Sequence, residues 1–230
     1  MQIGALGDIH GDFAAARAIV AHHPDVPFWL CVGDLATEDG RYESIGAPVY
    51  WIHGNNDNFD AIVAGTLPAD LHHIPSGTAR AIAFDGRSSL RVAALGGTFA
   101  PTWYETAAAD LPHPQKGSAK ATALADKRRH FVRDEVEACK RLSGIDILLT
   151  HEAAKPFRAL PGGRGPDAGK PQINEVLAAV RPRLHLFGHH HRLSDETREG
   201  VRSIGLDLVS RGYALVTDSA GTLAIHTIKY

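Results

Sequence analysis

Over its first sixty residues the chain alternates strand-length apolar runs with a helical stretch: "QIGAL", then "DFAAARAIVAHH", "PFWLCVG" and "APVYWIHG". Tight hairpins join only antiparallel neighbours, whereas short strands separated by longer helical crossovers lie side by side in parallel. This pattern predicts a largely parallel α/β arrangement at the N-terminal end. Asp12 is suited to cap the first helix, because its carboxylate can accept from a free amide of the opening turn. Further on, "ARAIAFDGRSSLRVAALGG" reads as a hairpin turning at Asp85 and Gly86. The stretch "SAKATALADKRRHFVRDEVEACKRL", Ser118 to Leu142, reads as the best helix in the chain, ending at Gly144. Next come the strand "IDILLTH", a loop rich in Gly and Pro from Pro161 to Pro171, the helix "QINEVLAAV" and the strand "RLHLFGHHH". The loop is flanked by ordered signals and reads as a lid or binding loop. The C-terminal stretch alternates apolar and polar residues, with turns at "SRG" and "SAG", as antiparallel strands do.

A chain of 230 residues suits one domain, 1–230, with a substantial core. No segment approaches the roughly 18 uninterrupted apolar residues of a membrane helix. The start "MQIGALGD" carries no basic leader, so a cytoplasmic location is expected. A net charge of -2 provides no general attraction to nucleic acid or anionic membrane. Any anionic substrate must therefore be met by local groups. Cys31 and Cys139 have the spacing of neither a metal clip nor a redox motif, and read as buried thiols.

Metal-ligand residue types recur just past the apolar runs: Asp8 and His10 in "GDIHGD", Asp34 in "VGDL", Asn55 in "GNND", His151 in "LLTHE", and His189 and His191 in "GHHH". In open α/β sheets, ligand sites form outside the carboxyl ends of the strands, so adjacent strands bring these loops together. Each piece alone is commonplace: Asp caps helices, GN makes turns, and His sits in cores. Five pieces in order at strand ends point to one site.

Taken together, the five motifs resemble the ordered set of the calcineurin-like metallophosphoesterase superfamily: DxH, GD, GNH followed by an acid, H, and GHxH. The resemblance spans Asp8 to His191. It implies a sandwich of two mixed β-sheets flanked by helices, with a two-metal site at one edge. Carried over by position, Asp8, His10 and His191 would bind one divalent ion. Asn55, His151 and His189 would bind the other, and Asp34 would bridge the two. Nitrogen and oxygen ligands without thiolate suit Mn, Fe, Co, Ni or Zn. Two such ions about 3.5 to 4 Å apart share a bridging hydroxide and clamp phosphoryl oxygens during in-line displacement. The implied activity is hydrolysis of a phosphate ester or phosphodiester, nucleotide-derived ones included, with a small phosphorylated compound as the partner. Two rivals stand beside it. One is a protein serine/threonine phosphatase, since "GDIHGD" also resembles the start of that branch. The other is a binding module of the same fold that has lost activity, against which the full ligand set argues.

One residue departs from the pattern. Asn56 stands where the larger branches carry a histidine that protonates the departing oxygen, with Asp57 as the acid that follows. A carboxamide can donate a hydrogen bond to a phosphoryl oxygen but has no proton to release near neutral pH. Leaving groups stable as anions should therefore be favoured, unless water or His113 supplies the proton. His190 alternates away from the ligands on either side of it. The pairs His22/His23 and His72/His73 read as surface residues, and Trp103 and Tyr104 as packing residues with stacking on a ring as the alternative. Arg158, with Arg164 and Lys170, is a candidate to hold a second phosphate or a ribose phosphate, with solvated loop charges as the equal alternative. The run "DKRRH" reads as the solvated face of the long helix.

Overall fold

A computed structural model describes residues 2–83, 89–114, 125–160, 164–219 and 222–229. Strand β1 (Gln2–Leu6) shows how the layers arise. Successive side chains on a strand face opposite ways. Ile3 and Ala5 therefore enter a core between two sheets, while Leu6 enters a second core beneath the helix α1 (Phe13–His22). The same division holds in β2 (Trp29–Cys31), whose Leu30 faces the central core while Trp29 and Cys31 face α1. β1 pairs in parallel with β2, which pairs in parallel with β3 (Val49–Trp51) and so on to β4 (Leu71–His73). This is the parallel arrangement the crossovers predict. Asp12 caps α1, accepting from the Ala15 amide at 3.1 Å.

The second sheet contributes the other wall of the central core. Its strands are β5 (Thr78–Ala83), β6 (Ser89–Leu95), β9 (Ile147–Thr150), β10 (Leu184–Phe187), β11 (Ser194–Arg198) and β12 (Val201–Gly205). Val92, Ala94, Ile147 and Leu149 face inward, whereas Ala93, Leu95 and Leu148 pack under the helices α3 (Arg133–Lys140) and α4 (Pro171–Val180). Strands β13 (Gly212–Ser219) and β14 (Thr222–Lys229) extend the first sheet antiparallel beyond β1. The result is two mixed six-stranded sheets packed face to face with helices outside. β5 and β6 form the expected antiparallel pair, while the turn at Asp85 and Gly86 lies outside the described residues.

Among the described residues, the expected long helix is seen only in its C-terminal part. Residues 118–124 lie outside the described residues, and among those that follow, α-helix begins at Arg133. Ahead of it, Lys127–Arg129 form a 3₁₀ turn and β8 (His130–Phe131) pairs in parallel with β7 (Thr98–Phe99). Burial decides this: Phe131 is fully enclosed against Phe99 and Tyr104, which holds the backbone extended against a helical propensity of a few tenths of a kcal/mol per residue. For the same reason "DKRRH" is no solvated helix face. Asp126 and Arg129 are buried. Tyr104 is core and Trp103 is half-buried. His23 and His73 also depart from the surface reading: His23 meets the Tyr213 hydroxyl at 2.6 Å, and the half-buried His73 lies 3.4 Å from His53.

Candidate metal centre

Five parallel strands end at one edge of the sandwich: β1, β2 and β3 from one sheet, and β9 and β10 from the other. The loops that follow them carry the predicted ligands. Asp8, His10 and His191 bring donor atoms within 4.8 Å of one another, and so do Asp8, Asp34 and His151. His191 Nε2 is 3.1 Å from Asp8 Oδ2 and 3.2 Å from His10 Nε2. Asp34 Oδ2 lies between the two halves, 3.6 Å from His10 Nε2 and 3.5 Å from His151 Nε2. Asn55 Oδ1 is 3.1 Å from His151 Nε2. Spacings of this size suit donors that surround an ion at about 2.0–2.2 Å each. His189 stands apart from both groups. Its ring is 5.0 Å from that of His151, and its Nε2 is 3.9 Å from Glu152 Oε1.

The charges favour cations here. Asp8 and Asp34 are almost wholly buried, yet among the described residues no lysine or arginine pairs with either. A buried carboxylate without a cation is costly. Burial opposes the Asp34 charge, but His151 and two hydrogen bonds from Asn56 hold its carboxyl well below the usual range. Burial likewise opposes a proton on His151, yet Asp34 and Asp8 lift it to about 10. His151 Nδ1 donates to the Val32 carbonyl at 2.8 Å, which leaves Nε2 to face the site. Burial lowers His189 to about 3, keeping it neutral as a ligand must be. The residues present therefore fit a pair of divalent ions.

The backbone is strained at these positions. His10, Asp34, His189 and His191 have φ of 46°, 51°, 66° and 44°, in the left-handed region that side chains disfavour. Such strain collects at functional sites. Gly54 and Gly188 are required for a different reason: a Cβ on either would stand 2.1 Å from Asp34 Oδ1 or 2.2 Å from Asp8 Oδ1. These glycines make room for the Asp34 and Asp8 carboxylates themselves.

Several roles had no signal in the sequence. Asp57 accepts the amides of Gly54, Asp34, Leu35 and Ala36 at 2.7, 3.0, 2.9 and 3.1 Å, tying the loop after β2 to the loop after β3. Glu152 accepts from the Phe99 amide and lies 3.2 Å from Lys170 Nζ. Asn56 donates its backbone amide to Asp34 Oδ1 at 2.7 Å and its side-chain amide to Asp34 Oδ2 at 2.8 Å. A carboxamide and a carboxylate after strand β3 were visible; their partners depended on the packing of a second loop. Arg158 donates to the Gly165 carbonyl at 2.7 Å, and His113 is exposed with Nδ1 on the Leu111 carbonyl. His190 turns from the ligands onto Phe157, with ring centroids 4.7 Å apart.

The chain matches the profile of the calcineurin-like phosphoesterase superfamily domain over residues 1–228 and belongs to that superfamily. Its fold is similar to TT1561 of Thermus thermophilus, with TM-score 0.67 and 16% identity, covering 99% of this chain and 98% of that one. It also resembles a putative 5'-nucleotidase from Staphylococcus aureus (TM-score 0.58, 14% identity, 99% of this chain and 54% of that one). The Plasmodium inner-membrane-complex anchor GAP50 is a third such fold (TM-score 0.57, 13% identity, 100% and 84%). Comparison with curated proteins returns no match. Among the described residues no helix is long and apolar enough to cross a membrane.

Proposed function

We propose that the protein is a cytoplasmic hydrolase that uses two divalent ions to cleave a small phosphate ester or phosphodiester. The observation that carries this reading is the convergence of Asp8, His10, His191, Asp34, His151 and Asn55 from five strand ends around buried carboxylates with no Lys or Arg partner among the described residues. Asp8, His10 and His191 would hold one ion. His151 and Asn55 would hold the other, with His189 after its ring turns from Glu152, and Asp34 would serve both. Bound there, the ions supply Lewis acidity and an activated water as nucleophile.

The chain's own groups orient that chemistry. Val32 and Asp34 set the tautomer and charge of His151, and Asn56 holds both oxygens of Asp34. With its amide engaged on Asp34, Asn56 is a positioning residue and releases no proton to a leaving group. This favours aryl or phosphate leaving groups over the alkoxides of serine and threonine, and so disfavours the protein phosphatase reading. The test is turnover of an aryl phosphodiester by metal-stripped protein before and after adding Mn, Fe, Co, Ni or Zn. Turnover should be negligible without metal and restored by at least one ion. Full activity in stripped protein would refute the hydrolytic mechanism, and no turnover with any ion would favour a binding module.

A further inference from the structure

Several basic side chains of the molecule are tied to acids. Arg128 pairs with Asp126 and with Asp60 in the first turn of α2 (Phe59–Ala64), Arg183 with Asp146 and Asp218, and Arg202 with Asp195. Arg192 and Lys229 differ from these. Among the described residues neither pairs with an acid, and both line a cavity of about 330 Å³. Arg192 gives one nitrogen, Nη1, to the carbonyls of Arg158 and Leu160, so its Nε and Nη2 make no hydrogen bond among the described residues. A third cation, Arg211, lines the same cavity 3.3 Å from Asp207. Asp207 can balance one of the three charges, and two remain.

Strand register places this cavity beside the metal centre. Tyr213 pairs with Leu6, two residues before Asp8, and Lys229 pairs with Gly212 next to it. In the other sheet Gly205 pairs with Phe187, which leads through Gly188 to His189 and His191. The cavity is therefore lined at the same edge of the sandwich, from the strands that adjoin the carriers of Asp8 and His191. Backbone contacts join the two places. Val209 donates to the Asp8 carbonyl at 3.0 Å, and a Cβ on Gly7 would stand 1.8 Å from the Asp207 carbonyl oxygen. Arg192 follows His191 directly.

We propose that this cavity receives the leaving part of the substrate and that Arg192 and Lys229 select one carrying a phosphate of its own, as in a nucleoside diphosphate. The proposal rests on the hydrolytic reading of the centre and extends it from esters to phosphoanhydrides. Cations without acid partners in a concave place attract an anion, and the Arg192 Nε and Nη2 donors lie on one edge of the guanidinium, where two phosphate oxygens can meet them together. Leu193, Leu206 and Ile228 supply apolar wall for the body that bears the phosphate. In the reaction, water adds to the terminal phosphorus, the bond from that phosphorus to the bridging oxygen breaks, and this oxygen departs with the bonding electrons as part of the second phosphate. One proton of the water stays on the orthophosphate and the other passes to solvent. A phosphate leaves as a stable anion, which suits a site whose Asn56 carboxamide is engaged on Asp34 and releases no proton.

Paired substrates provide the test, since adenosine 5'-diphosphate and 4-nitrophenyl phosphate present the same terminal phosphoryl group and differ in the leaving part. With metal-loaded native protein, KM for the diphosphate should be lower by about tenfold or more. Lys229→Glu reverses an exposed charge outside the ligand set. It should keep the native metal content and melting temperature while the ratio of the two KM values narrows by about tenfold. Arg192→Gln should narrow the same ratio and serves if Lys229→Glu does not fold. Equal KM values in the native protein, or an unchanged ratio in a folded variant, overturn the proposal. If no ion supports turnover of either compound, the hydrolase reading fails and calorimetry with adenosine 5'-monophosphate decides the cavity alone. Binding that Lys229→Glu weakens would sustain the anion site, and absent or unaltered binding would refute it.

Discussion

Asp34 lies between the two halves of the site. One oxygen faces His10 and His151 and accepts the Asn56 side-chain amide, while the other accepts the Asn56 backbone amide. Asp34→Asn removes the charge and turns one acceptor into a donor. Turnover should fall on the order of 10³-fold, with loss of both ions by metal analysis, whereas His10→Ala should leave one ion bound. Retention of both ions and native turnover by Asp34→Asn would show that the carboxylate does not bridge. Asn56 acts one step back, so Asn56→Ala should cost roughly 10- to 100-fold in metal affinity or activity, the usual loss when a ligand's orienting partner goes. Asn56→His offers an acid at a position where the native protein has a carboxamide. General acid catalysis is worth about 10²–10⁴, so the steep fall in rate expected with rising leaving-group pKa should become shallower in this variant. A flat dependence in the native protein, with chemistry rate-limiting, would place the acid elsewhere.

Between elements, Asp57 is the fastener. It gathers four backbone amides from two loops, and the Tyr42 hydroxyl lies 3.3 Å away. Asp57→Ala strands these donors in a buried place, each worth about 1–3 kcal/mol when unsatisfied, so unfolding free energy should drop by at least ~3 kcal/mol in denaturant titrations. A drop under about 1 kcal/mol would mean that water replaces the carboxylate. Asp57 follows the strand end as the family's acid does, so its presence was legible. Its service to the loop after β2 was not, because the contact joins residues more than twenty positions apart. The helix expected over 118–142 is present over Arg133–Lys140 and gives way at Lys127–Phe131 on the same account: local propensity spoke for helix, and a buried Phe131 against a distant Phe99 overrode it.

Across the molecule, apart from His151, several histidines are enclosed in their neutral form. Burial lowers His185 and His53 to about 3, and His73 and His190 to about 4. In the unfolded chain these imidazoles take up protons near 6.5. The unfolded state therefore binds more protons between about pH 3 and 6.5, so stability present above 6.5 is lost as pH falls. His185 isolates the effect, since it is fully buried between two hydroxyls that are not predicted ligands, Thr150 Oγ1 at 2.8 Å and Ser203 Oγ at 3.0 Å. His185→Gln should lose less stability than native between pH 7 and 5, by roughly 1–2 kcal/mol in denaturant titrations at each pH. Parallel pH profiles would show that His185 is protonated in the native fold.

Read in order, the residues themselves determined the parallel strand order at the N-terminal end, the Asp12 cap and the ligand types at five strand ends. These follow from short-range rules: periodicity, capping chemistry, and the tendency of strand termini in α/β sheets to hold ligands. Tertiary structure alone decided what each polar group faces. The side chains of Asn56, Asp57 and Arg129 can each enter several kinds of contact, and the choice among them is made by whichever loop packs opposite. Asn56 holds Asp34 because the loop after β2 lies against the loop after β3. Arg129 is enclosed because β8 pairs with β7 instead of continuing a helix. Contacts so distant along the chain leave no local period to read, since their free energy comes from burying surfaces that only the folded sandwich brings together.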